Sequence, residues 1–116
     1  MDILTYLNKI LNIEEITNLT GDNRVFYMRT KNPKNTYITY SILKEKIAYI
    51  EEDEETITKY YIQIDIFTNE NYSKVLKIIK KQLKDNDFYK DEILDIEDDF
   101  YNYHKVLRYT KYLQTN

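Results

Sequence analysis

The sequence predicts a small α+β domain built on one mixed, mainly antiparallel sheet of about five or six strands. The sheet is expected to be covered by an N-terminal helix and one central amphipathic helix. Within residues 57–68, apolar residues recur at every second position, which is the period of a strand with one covered face. Residues 72–84 then have apolar residues at spacings of three and four, which is typical of an amphipathic helix.

Length and composition limit the classes of protein that this chain can represent. A chain of 116 residues indicates one domain, spanning 1–116. Gly21 is the only glycine, which excludes a Walker loop and a dinucleotide-binding fingerprint. The chain has no cysteine, which excludes disulfides and thiolate metal sites and is typical of a reducing compartment.

Neither a membrane nor a nucleic acid is predicted as a partner. No apolar run approaches the roughly 20 residues of a membrane span. The N-terminal decapeptide lacks the basic start and small-residue cleavage site of a signal peptide. The net charge of −3 argues against specific nucleic-acid binding.

The first third of the chain is predicted to contain a helix and a short strand. Asp2 is a candidate N-cap for a helix whose apolar stripe is formed by Ile3, Leu4, Leu7, Ile10 and Leu11. Residues 13–23 are predicted to be a connector that ends in a Gly-Asp-Asn turn. Residues 25–29 are predicted to form a short strand, and residues 30–36 a loop around Pro33.

The middle of the chain is predicted to contain strands on both sides of an acidic block. Residues 37–43 alternate as a strand, and residues 46–50 form a weaker third strand. The block consists of Glu51, Glu52, Asp53, Glu54 and Glu55. Like charges at this density do not pack together, so an exposed hairpin loop is expected before the long strand.

The central helix is predicted to be capped by Asn69 or Asn71 and to face the sheet with Tyr72, Val75, Leu76, Ile79 and Leu83. Its lysines, at positions 74, 77, 80, 81 and 84, mostly face away. They are interpreted as the solvated side of a covering helix rather than as an anion-binding face, because no aromatic residues interleave them.

The C-terminal part is predicted to form a closing pair of strands. A polar break at residues 85–90 contains Phe88, and Ile93, Leu94 and Ile96 mark the next strand. An acidic turn around Asp98 and Asp99 leads to a last strand at residues 102–113. That strand has Tyr103, Leu107, Tyr109 and Leu113 on one face, and His104, Val106, Arg108 and Tyr112 on the other.

No metal site is predicted. The acidic block lacks the central glycine and the ligand spacing of an EF-hand loop. Asp95, Glu97 and Asp99 would share one strand face if that strand runs far enough, but an acidic edge that discourages stray strand pairing is the favoured interpretation.

No catalytic site and no cofactor are predicted, so the chain is not expected to be an enzyme. His104 and Arg108 are candidate interface residues or polar sheet residues. They are also the side chains that an acid–base or phosphate-handling role would need. The only serines are Ser41 and Ser73, and no pattern in the sequence brings either of them near His104.

Three segments carry a resemblance to a known family: TYITYSIL at 36–43, YYIQIDIFTNENYSKVLKIIKKQL at 60–83, and IEDDFYNYHKVLRYTKY at 96–112. In element order, in length and in the Tyr-His-Lys…Arg-Tyr ending, the chain resembles the tail-terminator proteins of long-tailed bacteriophages and prophages, which complete the tail and join it to the head. The chain departs from that family at residues 98–101, where the glycine that often opens the last hairpin turn is missing.

The resemblance implies a structural protein of the virion tail or neck, present in the host cytoplasm during assembly. Such subunits form a homo-oligomeric ring, typically a hexamer, that caps the tail tube and contacts the tail-tube protein and the head connector. The acidic block would then line the ring, where it would repel passing DNA, or meet a partner. The alternative is a small acidic binding module, encoded by a phage or cytoplasmic, that sequesters a basic host protein.

Overall fold

The computed structural model describes residues 2–30 and 35–114, which form one mixed five-stranded sheet with three helices. The elements are α1 Ile3–Leu11, α2 Glu14–Thr20, β1 Val25–Tyr27, β2 Tyr37–Glu51, β3 Glu54–Thr68, α3 Ser73–Asp85, β4 Tyr89–Asp95 and β5 Tyr103–Gln114. The strand order is β1-β2-β3-β5-β4; β1 runs parallel to β2, and the other neighbours are antiparallel. The predicted α+β class, with a mainly antiparallel sheet and a covering N-terminal helix, is confirmed.

A single hydrophobic core lies between the helices and one face of the sheet. At its centre are Ile62, Ile64 and Ile66 of β3, all completely buried. This confirms the predicted covered face, and β3 is central because β2 and β5 flank it on both sides. The helices contribute five further fully buried side chains to this core: Leu7, Leu11, Ile16, Ile79 and Leu83.

Helix α1 begins as predicted. The Asp2 side chain accepts a hydrogen bond from the backbone N–H of Thr5 at 2.8 Å, which satisfies one of the free donors of the first turn. Its apolar stripe packs into the core, with Leu7 and Leu11 completely buried.

The prediction that residues 13–23 form only a connector is wrong, because they contain α2. Ile16 is completely buried against the core, and Glu14 and Glu15 lie in the first turn, where negative charge favours a helix. Gly21 ends the helix with a φ of +89°, which only glycine adopts readily. One buried isoleucine in a short polar segment is too weak a periodic signal to predict this helix.

The prediction of a separate strand at residues 46–50 is also wrong. Strand β2 continues without a break from Tyr37 to Glu51, and β3 begins at Glu54 rather than at Ile57. Register shifts occur between Ile42 and Lys44 and again between Ile47 and Ile50, so the alternation of side chains changes phase within one strand. In the sequence, this change of phase looks the same as the end of one strand and the start of another.

Helix α3 is entered through two asparagines that have different roles. Tyr72 is the N-cap residue, and the side chain of the preceding Asn71 accepts from the backbone N–H of Ser73 at 2.8 Å, which satisfies one free donor of the first turn. Asn69 instead accepts from the N–H of Asn102 at 2.8 Å and so fastens the β3–α3 connection to the loop before β5. Of the predicted stripe, Val75, Ile79 and Leu83 are buried.

The closing strand pair differs from the prediction at its start. Strand β4 begins at Tyr89, so the polar break is shorter than predicted, with Phe88 buried in the core. In the turn after β4, the Asp98 carboxylate accepts from the N–H groups of Phe100 and Tyr101 at 2.9 and 2.8 Å. This side-chain turn contains no residue with positive φ, so its geometry does not require a glycine. The predicted loop around Pro33 falls largely on residues 31–34, outside the described residues.

Candidate functional site

The acidic block forms the tip of a projecting hairpin. Every residue from 43 to 54 is exposed, and we call residues 43–57 the arm. Strands β2 and β3 are joined at the tip by Glu52 and Asp53, whose φ angles are +52° and +63°. Two successive positive φ angles are those of a type I′ hairpin turn, which suits the twist of the strands but normally uses Asn and Gly. The predicted exposed hairpin loop is therefore present, although only two residues form the turn.

The acidic side chains at the arm tip repel one another in the hairpin that they form. Glu51 and Glu54 are direct partners across the last rung of the hairpin, and like charges in that position repel. Glu55 differs from the other acidic residues of the block, because it is half-buried and accepts a hydrogen bond from the Thr58 hydroxyl. Local conflicts of this kind, concentrated at one place, are typical of functional sites.

The arm also exposes apolar side chains and backbone. Ile47, Tyr49 and Ile50 are 58%, 53% and 54% exposed. Strand β1 pairs with β2 only as far as Tyr40, so among the described residues no strand covers the outer edge of β2 beyond that position. Uncovered strand edges and grouped apolar side chains are features that isolated soluble domains usually avoid.

His104 and Arg108 lie on the sheet face opposite the helices, which we call the open face, and they belong to one polar network. His104 Nε2 lies 2.6 Å from Asp65 Oδ2, and Asp65 Oδ1 accepts from Gln63 Nε2 at 2.9 Å. Arg108 donates to Gln63 Oε1 at 3.1 Å and to Glu92 Oε1 at 2.8 Å. The network therefore crosses β3, β5 and β4 in one line.

Aromatic rings enclose the His104 end of this network. The imidazole stacks on the Phe67 ring at a centroid distance of 4.1 Å, and Phe67 stacks on Tyr37 at 4.5 Å. Tyr101 packs edge-on against both Phe67 and Tyr37, and burial raises the pKa of Tyr37 and of Tyr101. With its partner Asp65 and this stacking, His104 is held in place as a polar sheet residue and strengthens the open face.

A second charged surface lies beside the C-terminal half of α3. An open groove of about 600 Å³ runs between that helix and the start of β4. We call it the lysine groove; it is lined by Lys77, Lys80, Lys81, Lys84, Asp85, Phe88, Tyr89, Lys90 and Tyr109. The sequence favours the solvated face of a covering helix, because no aromatic residues interleave its lysines. The aromatic lining comes from Phe88 and Tyr89, which follow the helix, and from Tyr109 of β5, so it depends on how β4 and β5 pack.

Lys111 is a buried cation that the sequence analysis did not identify. Its Nζ donates to the carbonyl oxygen of Asn86 at 2.7 Å and lies 5.3 Å from the ring centroids of both Tyr6 and Phe88. It thus neutralises the negative end of α3 and joins that end to β5. Its position in the sequence indicates this burial, because Lys111 alternates onto the same strand face as Leu107, Tyr109 and Leu113.

Within residues 2–30 and 35–114, no group of three or more His, Asp or Glu side chains is placed to hold a metal ion. In the same ranges, no helix is long and apolar enough to cross a membrane. Compared with protein-family models and with curated proteins, the chain matches none of them.

Proposed function

We propose that this chain is a tail-terminator subunit of a long-tailed bacteriophage or prophage, which acts by assembling into a ring at the end of the tail tube. The observation that carries the proposal is the arm. It extends beyond the helical cover and presents apolar side chains, an uncovered strand edge and an acidic tip together. Such a surface suits a protein whose activity is to bind other subunits rather than to transform a substrate.

The two ends of the molecule support the same proposal. The arm tip lies at the start of β3, and the loop of residues 96–102 lies beside the end of β3, because Tyr103 pairs with Thr68. At that second end the Phe100 side chain is 87% exposed. A ring subunit needs contact surfaces both for its neighbours and for the tube or the connector, and the chain has one exposed apolar feature at each end of its central strand.

The resemblance supplies the remaining support. The segments that carry it fold as β2, as β3 followed by α3, and as the β4–β5 loop followed by β5. This is the element order that the family resemblance implies. The network of His104 and Arg108 fits a structural role in that fold, since its partners are other sheet side chains.

The test measures assembly with and without a tail tube. The purified chain is examined by light scattering over a concentration series, alone and with a bacteriophage tail-tube protein. The proposal predicts a closed homo-oligomer, typically a hexamer, in at least one of the two conditions. A chain that stays monomeric in both conditions, and that leaves tube growth unchanged, would contradict it.

The acidic tip also supports the alternative proposal of a small module that sequesters a basic host protein. At the tip, Glu51, Glu52, Asp53 and Glu54 are all exposed, so they are accessible to a cationic partner. This alternative predicts a monomer or dimer that binds a basic protein in a salt-sensitive way and has no effect on tail tubes. Neutralising the tip would abolish that binding without changing the oligomeric state.

A further inference from the structure

The two charged surfaces of the chain are complementary to each other. The lysine groove carries Lys77, Lys80, Lys81, Lys84 and Lys90 against the single carboxylate of Asp85. The arm tip carries five consecutive acidic residues. Each surface is exposed, with the Lys81 side chain 74% accessible even though it pairs with Asp85 at 2.5 Å. Opposite charges on matching surfaces steer association and fix its register.

Both surfaces also contain apolar side chains that could pack against each other. Ile50 and Tyr49 lie just before the acidic turn, and both are more than half exposed. In the groove, Phe88 and Tyr109 form the apolar floor, and Tyr89 is 61% exposed at its edge. An apolar centre with a charged rim is the usual composition of a specific protein interface.

One chain cannot make this contact with itself. Tyr89 pairs with Thr110, which in turn pairs with Tyr61, so the groove lies level with the base of the arm. From there, β3 runs about 20 Å to Glu54 at the usual rise of a strand, and the hairpin therefore extends away from the groove. The two surfaces are also at opposite sides of the sheet, since β2 and β4 are separated by β3 and β5.

We propose that the lysine groove is the docking site for the arm tip of a second copy of this chain. The acidic turn enters between the lysines of α3, and Ile50 packs near Tyr89. That the assembly closes into a ring rests on the proposed function. Because the two contacting surfaces differ, each copy uses its arm on one neighbour and its groove on the other. Such a head-to-tail contact closes into a ring when the rotation between copies permits.

Site-specific cross-linking tests the contact directly, because the chain has no cysteine of its own. Glu52→Cys and Lys84→Cys variants are made separately, mixed, and treated with a short bismaleimide, alone and with tail-tube protein. The matched control is Lys74→Cys, which is an exposed lysine on the same helix about 15 Å away along its axis. The inference predicts a cross-linked dimer for Glu52→Cys with Lys84→Cys and little product with Lys74→Cys.

Charge reversal provides a second measurement that does not depend on cross-linking. The Lys77→Glu/Lys84→Glu variant is expected to self-associate at least about tenfold more weakly than the parent chain. Added salt is expected to weaken the self-association of the parent chain. Mixing that variant with Glu52→Lys/Glu54→Lys restores the contact between unlike copies. The substituted lysines are exposed, so circular dichroism and the melting temperature are expected to stay those of the parent.

The outcomes separate this inference from the proposed function. Rings that form without the Glu52–Lys84 cross-link, or that cross-link equally well through position 74, overturn the inference and leave the terminator proposal intact. Specific cross-links in assemblies that never cap a tail tube support the inference and contradict the terminator proposal. Absence of any self-association, with and without the tube, overturns both.

Discussion

His104 and Asp65 form a diagonal contact between neighbouring strands, with Nε2 and Oδ2 2.6 Å apart. The direct register partner of His104 is Phe67, on whose ring the imidazole stacks. His104 therefore joins β5 to β3 on the open face by one polar contact, to Asp65, and one ring contact, to Phe67. Both side chains are mostly buried, at 12% and 13% exposure, so water compensates poorly for the loss of either partner.

Replacing Asp65 is expected to lower the stability of the fold, and it leaves the charged surfaces of the arm and of the lysine groove unchanged. Asp65→Ala leaves His104 and Gln63 without their shared acceptor and is expected to lower the free energy of unfolding by about 1–3 kcal/mol. Urea denaturation followed by circular dichroism measures this change. Asp99→Ala is the control, because Asp99 is exposed, and a change within about 0.5 kcal/mol is expected. Equal effects of the two substitutions would contradict the structural role of the network.

The packing of α3 on the sheet is tested by truncating Ile79, one of its two completely buried side chains. Ile79 is completely buried, so Ile79→Ala removes apolar contacts and leaves a cavity. The expected loss is about 2–5 kcal/mol in the free energy of unfolding. Lys74→Ala on the exposed side of the same helix is expected to change stability little. A small loss for Ile79→Ala would mean that α3 is not packed on the core.

A double substitution in the arm turn is expected to raise the stability of the fold and to weaken assembly. Glu52→Asn/Asp53→Gly replaces two residues with positive φ by the pair that type I′ turns prefer, and should stabilise the fold by about 1 kcal/mol. Thermal unfolding measures this gain. The same variant removes two charges from the tip and should assemble less well than the parent chain. A lower melting temperature would contradict the assigned turn geometry.

The N-cap of α1 gives the protein a defined response to acid. The hydrogen bonds from Thr5 lower the pKa of Asp2 below its usual value of 3.8. A folded-state pKa below the unfolded one means that the contribution to stability is present above pH 3.8 and is lost as the pH falls through the folded value. Asp2→Asn also caps the helix but does not titrate. The stability of the parent relative to Asp2→Asn should therefore fall in that acidic range, and a pH-independent difference would contradict this account.

The strongly periodic parts of the fold were predictable from the sequence. The alternation of Ile62, Ile64 and Ile66 and the stripe through Val75, Ile79 and Leu83 correspond to the two central elements of the core. In both cases one repeating pattern extends over several turns or rungs, so local sequence determines which face is buried. Asp2 was predictable for a similar reason, because helix capping is a local interaction.

The features that the sequence did not predict depend on longer-range packing. Helix α2 depends on one buried residue, Ile16, whose burial is decided by the rest of the core. The phase changes within β2 come from bulges that only the pairing with β3 reveals. The lysine groove needs Tyr89 and Lys84 side by side, and their proximity follows from the packing of β4 beside α3. The acidic tip was predicted, but its complement on the same chain was not.

We propose above that this chain forms a ring on the end of a tail tube. Negative-stain electron microscopy of tail-tube protein, polymerised with and without the chain, tests it most directly. The account predicts tubes that stop growing and carry one ring of extra density at one end, with the Glu52→Lys/Glu54→Lys variant failing to form that ring. Tubes of unchanged length with bare ends, in the presence of a folded chain, would contradict the account.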